Sequence, residues 1–165
     1  MKILFIDDEE DVLNYYTTIL QNDGMKVLSF SSPLEGYRAI EHFKPELIVI
    51  DLYMDECSGF DLAKVIRQDD ERTSMPVVFL SAELDVATQL SAMDLGGDDF
   101  LIKPVDAEYF VKSIKMRVKR ARSVNNLNTK VKNALRESEY RLVALDQHAI
   151  ISMTDTSGAI TFANQ

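Results

Sequence analysis

Four short apolar runs in the sequence each end beside a side chain that can take part in chemistry. Asp7 and Asp8 follow KILFI, Asp51 follows ELIVI, Ser81 follows VVFL, and Lys103 follows FLI. In an open parallel sheet, ligands bind in the crevice outside the carboxyl ends of the strands. If the four runs are neighbouring strands, three carboxylates, a hydroxyl and an ammonium group converge there. Such a set can hold a divalent cation and a phosphoryl group.

The elements that must position these groups alternate along the chain. Apolar residues spaced three and four apart predict helices, and short runs rich in Ile, Leu, Val and Phe predict buried strands. The predicted strands are 2–6, 25–30, 46–50, 77–80 and 99–102, and the predicted helices are 11–21, 33–43, 60–68 and 84–95. This alternation predicts an α/β fold, a doubly wound five-stranded parallel sheet.

An extended C-terminal helix is predicted from residue 106 onward. Apolar residues recur there at intervals of three or four as far as Leu145, with Ser138 in place of an apolar residue at one position, and no Gly or Pro intervenes before Gly158. A seam of that length is typical of a coiled coil. Three successive intervals of three between Val118 and Leu127 break the heptad like a stammer. The alternative is one helix that packs on its own sheet and then frays.

Charge divides the chain into two parts. Residues 1–108 hold 8 Lys and Arg against 23 Asp and Glu, whereas residues 109–165 hold 10 against 4. The acidic part argues against nucleic acid as a direct partner, because a duplex is itself densely negative. The basic segment 112–122 has no aromatic interleaving, so a solvated helix surface is expected rather than a nucleic-acid site.

Several classes of protein find no support in the sequence. Cys57 is the one cysteine and cannot form an internal disulfide, and no signal segment or apolar span suited to a membrane is present. The two histidines, His42 and His148, are far apart in sequence, which argues against a zinc site. No G-x-S-x-G elbow of a serine hydrolase occurs. A cytoplasmic location without membrane contact is expected.

Residues 1 to about 120 resemble the receiver domain of two-component response regulators. The resemblance rests on five pieces in sequence order: the pair Asp7-Asp8, Asp51, Ser81-Ala82, the segment GGDDF at 96–100, and Lys103-Pro104. Any one of these is common in loops, caps or turns. Together, each after its expected strand, they are specific.

The resemblance implies a phosphoacceptor and a metal site. Asp51 would attack the phosphohistidine of a sensor histidine kinase or phosphotransfer protein and form an aspartyl phosphate. Asp8, with Asp7 partly through water, would hold Mg²⁺ together with Asp51 and the backbone carbonyl of Tyr53. An all-oxygen ligand set of this kind suits a hard octahedral cation.

The resemblance also implies a switch. Lys103 would neutralise a phosphoryl oxygen and Ser81 would donate a hydrogen bond to another. Phosphorylation would draw Ser81 toward the phosphate and turn the aromatic of the last strand, here Phe100, inward. Tyr53 and Glu83, each two residues after a functional residue, would tune the lifetime of the phosphate. Simple core packing is the alternative role of Phe100.

One loop departs from the family pattern. The family usually has proline where this chain has Asp55, four residues after Asp51. Gly59 is retained, so the loop geometry is expected to survive.

The C-terminal residues resemble the start of a PAS domain. Residues 151–155 and 159–162 would form a hairpin around a turn at 156–158. The expected organisation is a receiver at 1–120, a coiled-coil signalling helix at 121–145 and a truncated PAS-like start at 146–165. The helix would form a homodimer and carry the receiver's change to an output module, which could itself be an enzyme. A generic hairpin is the alternative.

Two other functions remain open. A phosphatase of the haloacid dehalogenase-like type also forms an aspartyl phosphate after a strand, but it uses a second Asp two residues later, where this chain has Tyr53. A receiver that serves as a docking module without phosphorylation is the other. It is disfavoured because no acid, hydroxyl or lysine of the set is missing. The receiver itself would catalyse at most its own phosphorylation and dephosphorylation.

Overall fold

Strands and helices alternate through the computed structural model, which describes residues 1–69, 72–82, 94, 97–148, 152–154 and 156–163. The chain divides into two compact units, Met1–Arg122 and Ser123–Gln165. The helix predicted at 84–95 and the residue Glu83 lie outside the described residues. No helix in the described part of the chain is both long enough and apolar enough to cross a membrane.

The first unit is built on a five-stranded parallel sheet, as predicted. Its strands are β1 (Lys2–Ile6), β2 (Lys26–Phe30), β3 (Leu47–Asp51), β4 (Val77–Ser81) and β5 (Asp99–Ile102). The strand order is β2-β1-β3-β4-β5, and every neighbouring pair is parallel. The order reverses between β1 and β3, which is the switch point where doubly wound sheets bind ligands.

Both faces of the sheet are covered, so its central strands are apolar throughout. All residues of Leu47–Ile50 in β3 and of Val77–Leu80 in β4 are 0% exposed. Alternate residues of these strands enter two separate core clusters. This explains the unbroken apolar runs of the sequence, because only a strand buried on both faces lacks polar alternation.

Four helices are described. They are α1 (Glu10–Asn22), α2 (Pro33–Phe43), α3 (Gly59–Arg67) and α4 (Ala107–His148). Helices α1, α2 and α3 lie within one residue of their predicted positions, and α4 begins one residue after its predicted start. Pro33 opens α2, and the Ser58 hydroxyl caps α3 by accepting a hydrogen bond from Asp61 N at 3.2 Å.

The start of α4 belongs to the core of the first unit. Phe110, Ile114 and Val118 are at most 1% exposed and lie in the same cluster as β1, β3 and β4. Tyr16 of α1 stacks against Phe110 at 4.8 Å between ring centroids, and its hydroxyl accepts a hydrogen bond from Val105 N at 3.0 Å.

The basic segment of α4 is partly used in ion pairs. Lys115 pairs with Asp23 at 2.6 Å, Arg117 with Asp99, and Arg122 Nε with Glu46 Oε1 at 2.7 Å. Burial is the largest single influence and tends to raise the pKa of Glu46, but the hydrogen bonds from Arg122 and Lys2 N, together with nearby positive charge, outweigh it and the pKa is lowered. The expected solvated helix surface therefore also forms ion pairs within the first unit, with Lys115 and Arg122 still 45% and 56% exposed.

The second unit contains the remainder of α4 and a hairpin. From Ser123 to Leu142 every helical residue is exposed, including Val124 at 47%, Leu127 at 63%, Leu135 at 59% and Leu142 at 65%. Strands β6 (Ser152–Thr154) and β7 (Ile160–Ala163) pair antiparallel around a turn in which Gly158 has φ of +85°.

Candidate functional site

The predicted chemical groups converge on one edge of the sheet. Asp7 follows β1, Asp51 and Ser81 end β3 and β4, and Lys103 follows β5. Because all five strands are parallel, their carboxyl ends share that edge. The register pairs Asp51 with Leu80 and Ser81 with Ile102, which brings these ends level with one another.

Lys103 lies between two buried carboxylates. Its Nζ is 2.8 Å from Asp7 Oδ2 and 2.8 Å from Asp51 Oδ1. The three side chains are 11%, 0% and 6% exposed, so their charges are weakly screened. Glu9 lies farther out, with its Oε1 3.7 Å from the same ammonium. Sequence reasoning missed Glu9, although it directly follows the Asp7-Asp8 pair.

Burial dominates the electrostatics of this cluster. It raises the pKa of Asp7 from 3.8 to about 6 against the lowering effect of Lys103, and it also raises the pKa of Asp51. Burial tends to lower the pKa of Lys103, but its close contacts with Asp51 and Asp7 and the negative charge of both carboxylates outweigh this, and the pKa is raised. Without a second cation, the two buried carboxylates are therefore incompletely neutralised.

The acidic residues are arranged to hold a metal ion. Asp7, Asp8 and Asp51 each offer a carboxylate oxygen, and these oxygens lie within 4.8 Å of one another. Asp7 Oδ2 is buried and accepts no aligned hydrogen bond from the described residues, with the Lys103 ammonium as its ion-pair partner. Three carboxylates this close together supply hard oxygen donors of the kind that Mg²⁺ prefers.

The loop after β3 is held close to the site by Gly59. A Cβ at this position would lie 2.2 Å from the carbonyl oxygen of Asp51, so only glycine fits. Gly59 N donates to the carbonyl of Leu52 at 2.9 Å. The expected tight loop is present, even though Asp55 stands where proline is usual. Tyr53 N donates to Asp51 Oδ2 at 3.0 Å, and the Tyr53 side chain points outward, 58% exposed.

The two predicted switch residues occupy different depths. Ser81 is 0% exposed, and its carbonyl accepts a hydrogen bond from Lys103 N at 2.7 Å. Phe100 pairs in register with Phe79 and packs, half-buried, against the core cluster that contains Phe79. Ser81 lies at the site edge, at the end of β4, whereas Phe100 lies two residues before the end of β5.

The first unit is an α/β domain of flavodoxin-like topology. At its switch point lie an acidic cluster and a buried lysine, a set of groups suited to a metal ion and a phosphate. The family model of the response regulator receiver domain matches residues 3–115. The chain therefore belongs to the response regulator receiver family and is a receiver domain of two-component signalling. Receiver domains interact with histidine kinases or phosphotransfer proteins.

Individual relatives agree with this assignment. Protein RcaC of Microchaete diplosiphon is 34% identical over 125 residues, which cover 76% of this chain and 19% of RcaC. A receiver domain protein from Clostridium thermocellum is 30% identical with a TM-score of 0.68 over 74% of this chain and 98% of that one. A two-component response regulator from Clostridium difficile is 28% identical with a TM-score of 0.67, over 73% and 97%.

The curated relatives are longer proteins. The chain spans 19% of RcaC and 52% of a transcriptional regulator from Porphyridium aerugineum. The likeness therefore concerns the receiver and not the rest of those proteins.

Proposed function

We propose that this receiver accepts a phosphoryl group on Asp51 from the phosphohistidine of a sensor histidine kinase or phosphotransfer protein. The observation that carries the proposal is the position of Asp51 at the strand end. One carboxylate oxygen lies 2.8 Å from the Lys103 ammonium, and the other accepts a hydrogen bond from Tyr53 N. These two contacts orient the carboxylate, and Asp7 and Asp8 lie close enough to share a metal ion with it.

The transfer forms one bond and breaks one. A carboxylate oxygen of Asp51 bonds to phosphorus as the bond between phosphorus and the histidine nitrogen breaks, and the electron pair of that bond stays on the imidazole. Asp7, Asp8, Asp51 and the Tyr53 carbonyl would hold Mg²⁺, which supplies positive charge against the negative phosphoryl oxygens. Lys103 exchanges its contact with the carboxylate for one with a phosphoryl oxygen.

The response to phosphorylation is assigned to Ser81 and Phe100. The Ser81 hydroxyl donates to a phosphoryl oxygen, and Phe100 exchanges its half-buried position for a deeper one. Phenylalanine has no hydroxyl that needs a partner in either position. Tyr53 shields the phosphate from water, and Glu83 contributes to its lifetime.

Hydrolysis as the main activity has weaker support. A haloacid dehalogenase-like enzyme needs an acid/base two residues after its nucleophile, and that position here is the outward-facing Tyr53. A docking module without phosphorylation does not account for the retained, buried trio of Asp7, Asp51 and Lys103.

Phosphorylation by acetyl phosphate with Mg²⁺, followed by intact mass spectrometry, tests the site. The wild type should gain one phosphoryl group and Asp51→Asn should gain none, while Asp55→Asn, an exposed acid of the same loop, should gain one. A phosphoryl group that persists on Asp51→Asn would overturn the assignment.

The second unit is proposed to relay the signal as a parallel dimer. This extends the organisation expected above: a receiver at 1–120, a coiled-coil helix at 121–145 and a PAS-like start at 146–165. The support is the exposed apolar stripe, formed by Val124, Leu127, Val131, Leu135 and Leu142. Apolar residues at such spacing are buried when two helices associate. A shift in this pairing would carry the receiver's change to the output.

Sedimentation with and without beryllofluoride tests the dimer. The wild type should sediment as a dimer under at least one condition, and Leu135→Glu should shift it toward monomer. Asn133→Glu adds the same charge on the opposite side of the helix and should leave the dimer intact. A monomeric wild type under both conditions would overturn the proposal.

A further inference from the structure

We infer that the backbone N–H of Asp55 positions the carboxylate of Asp8 for the metal. Asp55 N donates to Asp8 Oδ2 at 2.8 Å across 47 residues of sequence. The inference rests on the proposed function, because it concerns the Mg²⁺ site of that proposal. It adds a positioning residue, Asp55, that touches neither the phosphoryl group nor the metal.

The three acids of the cluster share one pattern. Each has one oxygen held by a backbone N–H: Asp7 Oδ1 by Glu9 N at 3.1 Å, Asp51 Oδ2 by Tyr53 N at 3.0 Å, and Asp8 Oδ2 by Asp55 N at 2.8 Å. The remaining oxygens of Asp7 and Asp51 both contact the Lys103 ammonium. In each acid, one oxygen thus accepts a backbone hydrogen bond, and the other can bind a cation.

The hydrogen bond to Asp8 differs from the other two in the position of its donor. Asp7 and Asp51 each accept from the residue two positions later, and any residue other than proline supplies that N–H. Asp8 accepts from a different loop and requires a residue with an N–H at position 55. Asp8 is only half-buried, so packing restrains its side chain less than that of Asp7.

A hydrogen bond of this kind changes metal affinity through the ligand's orientation. Hydrogen bonds from N–H groups to carboxylates are charge-assisted, and they reduce the rotamer freedom that a metal ligand loses on binding. Loss of such an outer partner typically weakens metal binding about 10- to 100-fold. The side chain of Asp55 is exposed and plays no part in this bond.

Two substitutions at one position separate the backbone from the side chain. Asp55→Pro removes the N–H together with the carboxylate, whereas Asp55→Ala removes the carboxylate alone. Isothermal titration of the full chain with Mg²⁺ should give a dissociation constant about tenfold weaker for Asp55→Pro than for Asp55→Ala. The alanine variant should lie within about threefold of the wild type, because an exposed charge is largely screened by salt.

The outcomes distinguish the inference from the function it rests on. Equal Mg²⁺ affinity of the proline and alanine variants, with a wild type that binds, overturns the inference and leaves the metal site standing. A wild type that binds no Mg²⁺ overturns both.

Amide spectroscopy covers the case in which Asp55→Pro does not fold. In ¹⁵N-labelled wild type, the Asp55 amide should exchange slowly with solvent, and Asp8→Ala should make it exchange at the rate of neighbouring loop amides. The same resonance should move with Mg²⁺ at the calorimetric dissociation constant. An Asp55 amide that exchanges freely in the wild type, or that ignores Asp8→Ala, would contradict the inference.

Discussion

The two units of the chain use their apolar residues in opposite ways. In Met1–Arg122, Phe79 and the strand residues around it are fully buried, whereas in the second unit the apolar helical residues from Val124 to Leu142 are exposed, Leu127 and Leu142 by more than 60%. The same helix, α4, supplies buried residues such as Phe110 to the first unit and exposed ones to the second. Helical spacing alone therefore does not distinguish a core from an interface.

The difference concerns where the described apolar residues of each unit lie. The first unit covers its sheet on both faces and brings charged side chains together at one edge. The described helical residues of the second unit, 123–142, are all exposed, and their apolar stripe is the surface that the proposed dimer would bury.

The largest expected effect removes a core ring from the first unit. Phe79 is 0% exposed and packs edge-on against Phe60 at 5.5 Å between ring centroids. Phe79→Ala should lower the free energy of unfolding by about 3–5 kcal/mol, measured by urea denaturation. A loss below about 1 kcal/mol would mean that the sheet core is not packed as described.

A smaller effect concerns the buried charge of Asp7. A pKa of about 6 in the folded protein, against 3.8 for the free side chain, corresponds to about 3 kcal/mol. Because the folded state holds this proton more tightly than the unfolded state, stability should fall as the pH rises from about 4 to about 6 and then level off. Asp7→Asn should be more stable than wild type at neutral pH without Mg²⁺.

Urea denaturation in EDTA at several pH values checks this. The stability of Asp7→Asn should vary less with pH across that window. Some pH dependence should remain, because burial also raises the pKa of Asp51. A variant less stable than wild type at neutral pH would show that the Lys103 ion pair outweighs burial.

The next effect tests the loop at the site. Gly59→Ala should destabilise the first unit by about 1–3 kcal/mol and slow phosphorylation, because the added Cβ meets a backbone carbonyl. Gly36→Ala is the comparison, since its Cβ would meet Cδ1 and Cγ1 of the buried Ile6 side chain at 2.5 and 2.7 Å and no backbone atom. It should also lose stability in the same denaturation series but keep its phosphorylation rate, because the backbone of the loop after β3 does not have to move.

The smallest effect belongs to the second unit. Leu135→Ala removes a side chain that is 59% exposed and should change stability by less than about 0.5 kcal/mol at protein concentrations low enough for monomers. At high concentration the loss should grow, because association stabilises by mass action. Concentration-dependent thermal melts measure this, and a large loss at low concentration would mean that Leu135 packs within its own chain.

Much of the architecture could be predicted from the sequence. The strand ending at Ile102 was predicted at its observed residues, and Pro33, Gly59 and the apolar runs placed their elements within a residue or two. These features are local: a turn residue, a cap or a buried run acts on its immediate neighbours. The resemblance to receiver domains also predicts that Asp51 and Lys103 lie at the same edge of the sheet, where their side chains are in contact.

Contacts between distant residues could not be predicted in this way. The pairing of Arg122 with Glu46, the approach of Glu9 to Lys103 and the hydrogen bond from Asp55 to Asp8 each join separate segments. The raised pKa of Asp7 depends on its burial in the folded protein, which local sequence does not set.

The sequence by itself determined the order of strands and helices, the acidic and basic halves, and the identity of the groups at the strand ends. Only the tertiary structure decided which oxygens those groups present and which N–H anchors each of them. The physical reason is that propensity and periodicity act over a few residues, whereas hydrogen-bond geometry and desolvation depend on which segments the parallel sheet brings together.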